Sequence, residues 1–445
     1  MPSYNDHSNL DILITGGTLV TLDDNLCVIN DAVIGIRDGR FVLIENQSLS
    51  SASYVANEKM DASGCLILPG LINTHTHAPM VCFRGMADDL PLMEWLNNNI
   101  FPAEAKYVDR EMVYHGTILA VTEMLLSGTT TFADGYFFES EVARAAVMAG
   151  IRAVVAEGFI DFPQPDDHAI KQHIKQAEGF IRQMSDFSPL VTPALFCHAP
   201  YSCSPRTLRC MKDCAESSHL QYFIHVAETS DEVTKINDQG SESPVCYLRN
   251  LGVLNESTVA VHCVWVDEKD IEILADKGVN VSHVPESNMK LGCGIAPVHK
   301  MLKSGITIGL GTDGGASNND LDMLREMDTA AKVHKVSTMD PTVLDDITVL
   351  LMATRHGAKA LGLDRDIGSI EIGKKADLIL IDSMQPHLTP IYNPYSHIVY
   401  SASGSDVTTV IIDGKIVVRD RKLLTFEIAE SIDKVKKIAE RIMGF

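Results

Sequence analysis

Basic residues are in short supply in this chain. Its 445 residues hold 37 Lys plus Arg against 59 Asp plus Glu, a formal net charge of −22. Such a balance weighs against nucleic acid or anionic membranes as partners, since both reward clustered cations. No nucleic-acid module signature is present either. Long apolar runs are missing: nothing reaches the roughly 18 uninterrupted apolar residues of a membrane span. The N-terminus, MPSYNDHSNLD, has no basic n-region or apolar h-region, so no signal peptide is expected. The ten cysteines form no CxxC pair, and Cys210 and Cys214 suit one helix face. Reduced thiols in a cytoplasmic chain are therefore expected. No G-x-S-x-G elbow follows a strand, which sets aside a Ser/His/Asp hydrolase. No GxGxxG follows the first strand, which argues against a doubly wound dinucleotide-binding sheet. Internal repeats and low-complexity tracts are absent.

What is present reads as a well-packed α/β chain. Apolar residues make up 45% and charged residues 22%, which excludes a largely disordered polypeptide. Residues 10–68 carry short strand patterns, LDILITGGTLVTL and AVIGIRDGRFVLI, with a further strand ending near Leu66. Residues 366–420 read the same way in IGSIEIGKKADLILID, HIVYSAS and VTTVIIDGKIVV. One small β-sandwich built from both termini is the economical reading, because two separate small sheets are each marginal alone. Between them, LINTHTH, TTTFADG, RAVVAEGF, LVTPALFCHAP, YFIHVAE, TVAVHCV, VNVSHVP and TIGLGTDG alternate with helical segments. Two of these, EMVYHGTILAVTEMLLSG and EKDIEILADKG, end at a glycine that fits a helix cap. Eight strands separated by helices predict a (β/α)8 barrel over 69–364, between sandwich segments 1–68 and 365–445. EIAESIDKVKKIAERIMGF reads as a terminal helix.

The histidines sit where such a barrel does its chemistry. His75 and His77 end the first barrel strand, and residues two apart on a strand share a side. His225 ends the fifth run, and imidazole is a common zinc ligand. Asp313 ends the eighth and would complete a three-His, one-Asp set, although Asp-Gly is also an ordinary turn dipeptide. Glu228 lies three residues past His225, near such an ion as a proton shuttle or, alternatively, as an acid at a helix start. His262 ends the sixth run and is placed to orient water or steady a developing oxyanion, or is simply structural. Cys197 and Cys263 neighbour site histidines, but strand alternation turns them toward the outer helices.

The ordered set His75-x-His77, His225 with Glu228, His262 and Asp313 resembles the amidohydrolase superfamily over nearly the whole chain. The fourth run offers His198 and no lysine, which resembles the branch with one metal ion. GLINTHTHAPM, FRGMADDLPLMEWL, CHAPYSCS, HVAETSDE, VSHVPESNMKLGCGIAPV and GTDGGASNN closely resemble the 5-methylthioadenosine/S-adenosylhomocysteine deaminases. That resemblance implies one divalent ion per subunit on His75, His77, His225 and Asp313, expected to be Zn2+, with Fe2+ or Mn2+ as alternatives and no organic cofactor. It implies proton transfer by Glu228, a water partner in His262, a ribose contact at Glu104 and a second substrate contact at His198. Trp95 either walls the pocket or packs in the core. Glu157 stands at the third strand end, where some relatives carry an arginine for the tail of S-adenosylhomocysteine. The expected reaction is hydrolytic deamination of an adenine nucleoside by a cytoplasmic homo-oligomer. Related aminohydrolases of guanine, 8-oxoguanine, pterins or triazines share the constellation. A non-catalytic barrel scaffold is the reading from a different class.

Overall fold

A computed structural model describes residues 9–47, 54–161 and 166–443. The polar stretch ahead of Asn9, read above for a targeting signal, lies outside the described residues, as do the last two residues. The N-terminal strands are β1 (Leu10–Thr15), β2 (Thr18–Val20), β3 (Val28–Asn30), β4 (Ala32–Arg37), β5 (Arg40–Asn46), β6 (Ala56–Asp61) and β7 (Cys65–Pro69). The eight apolar runs become β8 (Leu71–Thr76), β9 (Thr129–Tyr136), β10 (Arg152–Phe159), β11 (Val191–Cys197), β12 (Tyr222–Val226), β13 (Thr258–His262), β14 (Asn280–His283) and β15 (Ile308–Leu310). The C-terminal strands are β16 (Leu378–Asp382), β17 (Val407–Ile412), β18 (Lys415–Arg419) and β19 (Lys422–Leu423).

The strands β8 to β15 form one parallel sheet in sequence order, with helices between successive members. Nearly every residue in them is buried, as expected of a parallel sheet covered on both faces. Ile72, Ala133, Val154, Ala194, Phe196 and Phe223 fill one cluster, while the alternate residues, Cys197 among them, join a second cluster with the helices. Cys263 belongs to that second cluster too. The circle closes where β15 meets β8. There Thr74 Oγ1 donates to Leu310 O (2.9 Å), Asn73 exchanges bonds with Thr312, and the Asp313 N–H donates to His75 O (3.0 Å). Gly309 and Gly311 permit that approach: a Cβ on Gly309 would lie 2.4 Å from Thr74 Cγ2, and one on Gly311 2.8 Å from the His75 backbone. Helix Arg110–Leu126 starts on an Asp109 cap to the Met112 N–H and runs out at Gly128, with φ +94°.

Both termini supply the sandwich. One sheet has the order β5-β4-β1-β6, the other β19-β18-β17-β16-β7-β2-β3, so N- and C-terminal strands pair directly through β7 and β16. Ile12, Ile34, Phe41, Ile67, Leu378 and Ile411 interdigitate between the sheets. Of the expected C-terminal segments, IGSIEIGKKADLILID forms a strand only at its end, as β16, and HIVYSAS forms none. IGSIEIG is a turn-rich segment, with Gly368 and Gly373 at φ +94° and +91° interrupting the isoleucines. HIVYSAS lies largely in helix Pro394–Tyr400, which Asn393 starts by accepting from the Tyr395 and Ser396 N–H groups, with Pro394 as its first residue. The terminal helix, Ala429–Met443, lies on helix Arg110–Leu126, joined by Lys434–Glu111 (2.5 Å) and Ser431–His115 (3.0 Å). Among the described residues no helix is long and apolar enough to cross a membrane.

Candidate metal centre and active-site cavity

His75, His77 and His225 converge at the C-terminal end of the barrel, with one ring nitrogen from each within 4.8 Å of the others. The Nε2 atoms of His75 and His225 are 3.2 Å apart. Asp313 Oδ1 faces the same point, 3.4 Å from His77 Nε2 and 3.7 Å from His75 Nε2. Burial drives His75 and His225 well below their usual pKa, reinforced by the neighbouring imidazoles, so both are neutral donors. The His77 Nδ1 lies 2.6 Å from Gly135 O. A carbonyl can only accept, so Nδ1 carries the hydrogen and Nε2 presents its lone pair to the cluster. Burial alone would raise Asp313, but His77, His262 and His75, with a Ser287 hydroxyl donating to Oδ2 (2.7 Å), hold it at about 2. Three imidazoles and one carboxylate converging on one point fit a divalent cation with room for a further ligand.

Glu228 stands beside this set. Ala227 adopts φ +51°, which breaks strand alternation and turns the next side chain back over the barrel mouth. Its Oε2 lies 3.7 Å from His262 Nε2, and its Oε1 accepts from Cys293 Sγ (3.6 Å). Burial raises the Glu228 pKa, which favours a group that both accepts and returns a proton; His262 opposes the rise. His262 Nδ1 bonds to Asn288 Oδ1 (2.9 Å), leaving Nε2 to face Glu228. Burial alone would depress His262, but the Glu228 and Asp313 carboxylates outweigh it and lift its pKa. His262, Cys263 and Asp313 share the positive φ of Ala227, at +71°, +48° and +60°. Each such residue costs about 1–3 kcal/mol and persists only where its surroundings impose it.

Above the cluster opens a cavity of about 840 Å³. Glu104, His198 and Trp95 all line it, as do His77, His225, Glu228, His262 and Asp313. Glu104 comes from helix Phe101–Tyr107, where its Oε1 accepts from the Tyr136 hydroxyl (2.6 Å) and burial raises its pKa. His198 packs at 5.2 Å against the His225 ring, its Nδ1 2.7 Å from Ser202 Oγ, and burial with the nearby histidines lowers it to about 3. Trp95 both lines the cavity and is buried in the core, with Nε1 donating to Met86 O (3.4 Å). Glu157 also reaches the lining.

A model of the Amidohydrolase family matches residues 66–417. The chain belongs to this family. It is 47% identical over 435 residues to a 5-methylthioadenosine/S-adenosylhomocysteine deaminase of Syntrophobacter fumaroxidans, covering 98% of this chain and 99% of that one. It is 43% identical to a 5′-deoxyadenosine deaminase of Methanosarcina mazei, again over 98% and 99%. Among solved structures it resembles an adenosine deaminase from Xanthomonas campestris with bound zinc, at TM-score 0.94 and 35% identity, covering 98% of this chain and all of that one.

Some residues that shape this amidohydrolase site were not singled out from the sequence. Glu232 is buried and pushed up to about 7; its carboxylate accepts from the Ala227 and Glu228 N–H groups and so holds the turn that aims Glu228. Its signal was the T-S-D-E helix start, in which Thr229 caps and Glu232 is the third helical residue. Ser287, Asn288 and Cys293 all lie in VSHVPESNMKLGCGIAPV, and each holds one of Asp313, His262 and Glu228. Asp134 accepts from the Ala78 N–H and Tyr136 donates to Glu104, so β9 braces both the segment after His77 and helix Phe101–Tyr107.

Proposed function

We propose that this amidohydrolase hydrolyses the amino group from the adenine ring of a 5′-substituted adenosine, with 5-methylthioadenosine and S-adenosylhomocysteine as the substrates to test first. The observation that carries the reading is the pairing of the His75, His77, His225 and Asp313 cluster with a buried Glu228–His262 couple under one nucleoside-sized cavity. The names of the similar proteins support an adenosine as substrate.

In this reading His75, His77, His225 and Asp313 hold one zinc ion. When bound, such an ion would lower the pKa of a water molecule to near neutrality and so supply the nucleophile. The chain's own residues do the rest. Glu228 accepts a proton from the attacking water and returns one to the ring nitrogen beside the amino-bearing carbon, which makes that carbon more electrophilic. His262, oriented by Asn288, donates from Nε2 to the oxygen as it adds. Glu228 or Asp313 then takes the second proton from the added hydroxyl and delivers it to the amine; the C–N bond breaks as the C=O forms, and ammonia leaves with the inosine analogue as the other product. Glu104, fixed by Tyr136, accepts from the ribose hydroxyls, and His198 contacts the nucleoside. No organic cofactor enters the scheme. A cytoplasmic homo-oligomer is the accompanying expectation.

Ammonia release and the adenine-to-hypoxanthine absorbance change test this directly with zinc-loaded protein. The panel is 5-methylthioadenosine, S-adenosylhomocysteine, adenosine, adenine and guanine. Turnover of nucleosides but not free bases is expected. Zinc-loaded protein that turns over no adenine nucleoside would refute the reading and shift the substrate to another amino-heterocycle.

A further inference from the structure

The cavity is lopsided in charge. Its lining contains the carboxylates of Glu104, Glu157, Glu228 and Asp313 and no lysine or arginine. The stretches outside the described residues, 1–8, 48–53, 162–165 and 444–445, contain no lysine or arginine either, so they cannot supply one. The histidines of the lining lie at the metal end, within ring contact of one another. Arg110 acts on Glu157 through its charge, but its guanidinium is bonded to other groups. It pairs with Glu141 (3.0 Å), bonds Ser140 (3.3 Å) and stacks on Phe138 (5.4 Å), and it is not part of the lining.

Glu157 sits at the end of β10, opposite Tyr136 in the β9–β10 register. Tyr136 in turn holds Glu104. With the adenine over the metal cluster and the ribose at Glu104, the lining beyond this pair receives the 5′ substituent. That lining is Phe137, Phe138, Phe159 and Ile160 around the Glu157 carboxylate. Glu157 accepts from the Glu139 N–H (3.0 Å) and from Gln176 Nε2 (2.8 Å), one donor to each oxygen. Burial raises the Glu157 pKa, while these two donors and the charge of Arg110 oppose the rise; with two donors and no acceptor, the hydrogen bonds favour a carboxylate beside the aromatic rings.

We infer that Glu157 and the aromatic wall around it, in a cavity whose lining holds no lysine or arginine, make this site selective for adenosines with an uncharged 5′ substituent and adverse to a carboxylate-bearing tail. The inference rests on the proposed adenosine deamination. A tail carboxylate would leave water for a lining with no lysine or arginine and would face a second carboxylate, and the ammonium beside it would have to leave water as well. A thioether or alkyl group instead gains from burial against the phenylalanines.

The test compares kcat/KM for three nucleosides that differ only in the tail: 5-methylthioadenosine, 5′-butylthioadenosine and S-adenosylhomocysteine. The butyl compound matches the homocysteine tail in chain length without its charges. The two neutral compounds are expected within about fivefold of each other, with S-adenosylhomocysteine at least 100-fold lower. In Glu157→Gln, the ratio of S-adenosylhomocysteine to 5-methylthioadenosine is expected to rise about tenfold. Equal use of methylthio and homocysteine compounds would overturn the inference while leaving deamination intact. So would a butyl compound as poor as S-adenosylhomocysteine, because length would then be the discriminator. Absence of turnover with all three would instead refute the deamination reading itself. The wild-type comparison decides the matter even where Glu157→Gln folds poorly.

Discussion

The two faces of the barrel bury charge in opposite ways. On the face against the sandwich, Arg152 at the start of β10 meets Asp377 through two bonds of 3.0 and 3.1 Å, and Asp377 also accepts from the Asp413 N–H (2.7 Å). Burial would lower the Arg152 pKa, but Asp377 more than compensates. Arg152 and Asp377 each have a fixed partner there, and neither is left to react. On the opposite face, imidazoles gather on one point, Glu228 is raised, Asp313 is depressed, and four residues hold strained left-handed conformations. Those groups are held from behind by Glu232, Ser287, Asn288 and Cys293, yet their working atoms face the cavity. Buried charge can thus be closed off as structure or left open as chemistry, and what separates the two is where the second partner stands.

Breaking the open face should cost turnover and spare stability. In Glu228→Gln the side chain keeps its size but no longer takes a proton. Turnover is expected to fall by about 10³- to 10⁴-fold, or about 4–5 kcal/mol of barrier. Metal content, measured by elemental analysis, should match the parent protein because Glu228 lies outside the ligand set. An active Glu228→Gln enzyme would remove Glu228 from the proposed mechanism.

The open face was also the more legible one. Parallel strands sealed on both sides read as continuous apolar runs, so all eight barrel strands and the histidines ending them stood out. The groups that hold those histidines did not. Ser287, Asn288 and Cys293 act across the chain on residues 26 to 65 positions away, and no periodicity marks a lone hydroxyl, amide or thiol as a brace. The sandwich misled locally for another reason. IGSIEIG and HIVYSAS are rich in β-branched residues, but glycines at positive φ break the first, and an Asn-Pro helix start overrides the second. The Arg152–Asp377 pair, 225 residues apart, had no local signature at all.

Breaking the closed face should do the reverse. Asp377→Ala leaves the Arg152 guanidinium buried, with Asp413 at 3.9 Å and the more remote Asp366 as its remaining counter-charges. A buried pair broken on one side costs about 3–5 kcal/mol. The loss is expected in urea titrations followed by the fluorescence of the two tryptophans. Activity of the folded protein at low denaturant should stay within about twofold of the parent, since the pair lies at the far end of the barrel from the cavity. A stable Asp377→Ala protein would mean that Asp413 moves in to pair with Arg152.

Lys212 offers the finest test, because it is a charge on the closed face with little to balance it. It is 2% exposed, and its ammonium donates to Asn255 Oδ1 (2.5 Å), Ser257 Oγ (2.9 Å) and Thr258 Oγ1 (3.0 Å), all neutral, while Glu216 stands 3.7 Å off. Burial lowers it from 10.5 to about 8, with Glu216 opposing. Below pH 8 both the folded and unfolded chains hold this proton, and the cost of burying the charge is borne in full. Between pH 8 and 10.5 the folded chain releases the proton while the unfolded chain keeps it, so the unfolded state binds more protons and this residue's contribution to stability rises with pH. The rise is at most about 3 kcal/mol. Other lysines and tyrosines titrate in the same window, so the measurement is a difference. Urea midpoints of the parent and of Lys212→Met are compared at pH 8 and again at pH 10.5. The parent should gain relative to the variant as pH rises. If the two run parallel, the three oxygens solvate the ammonium as well as water does, and the closed face is as fully compensated at Lys212 as it is at Arg152.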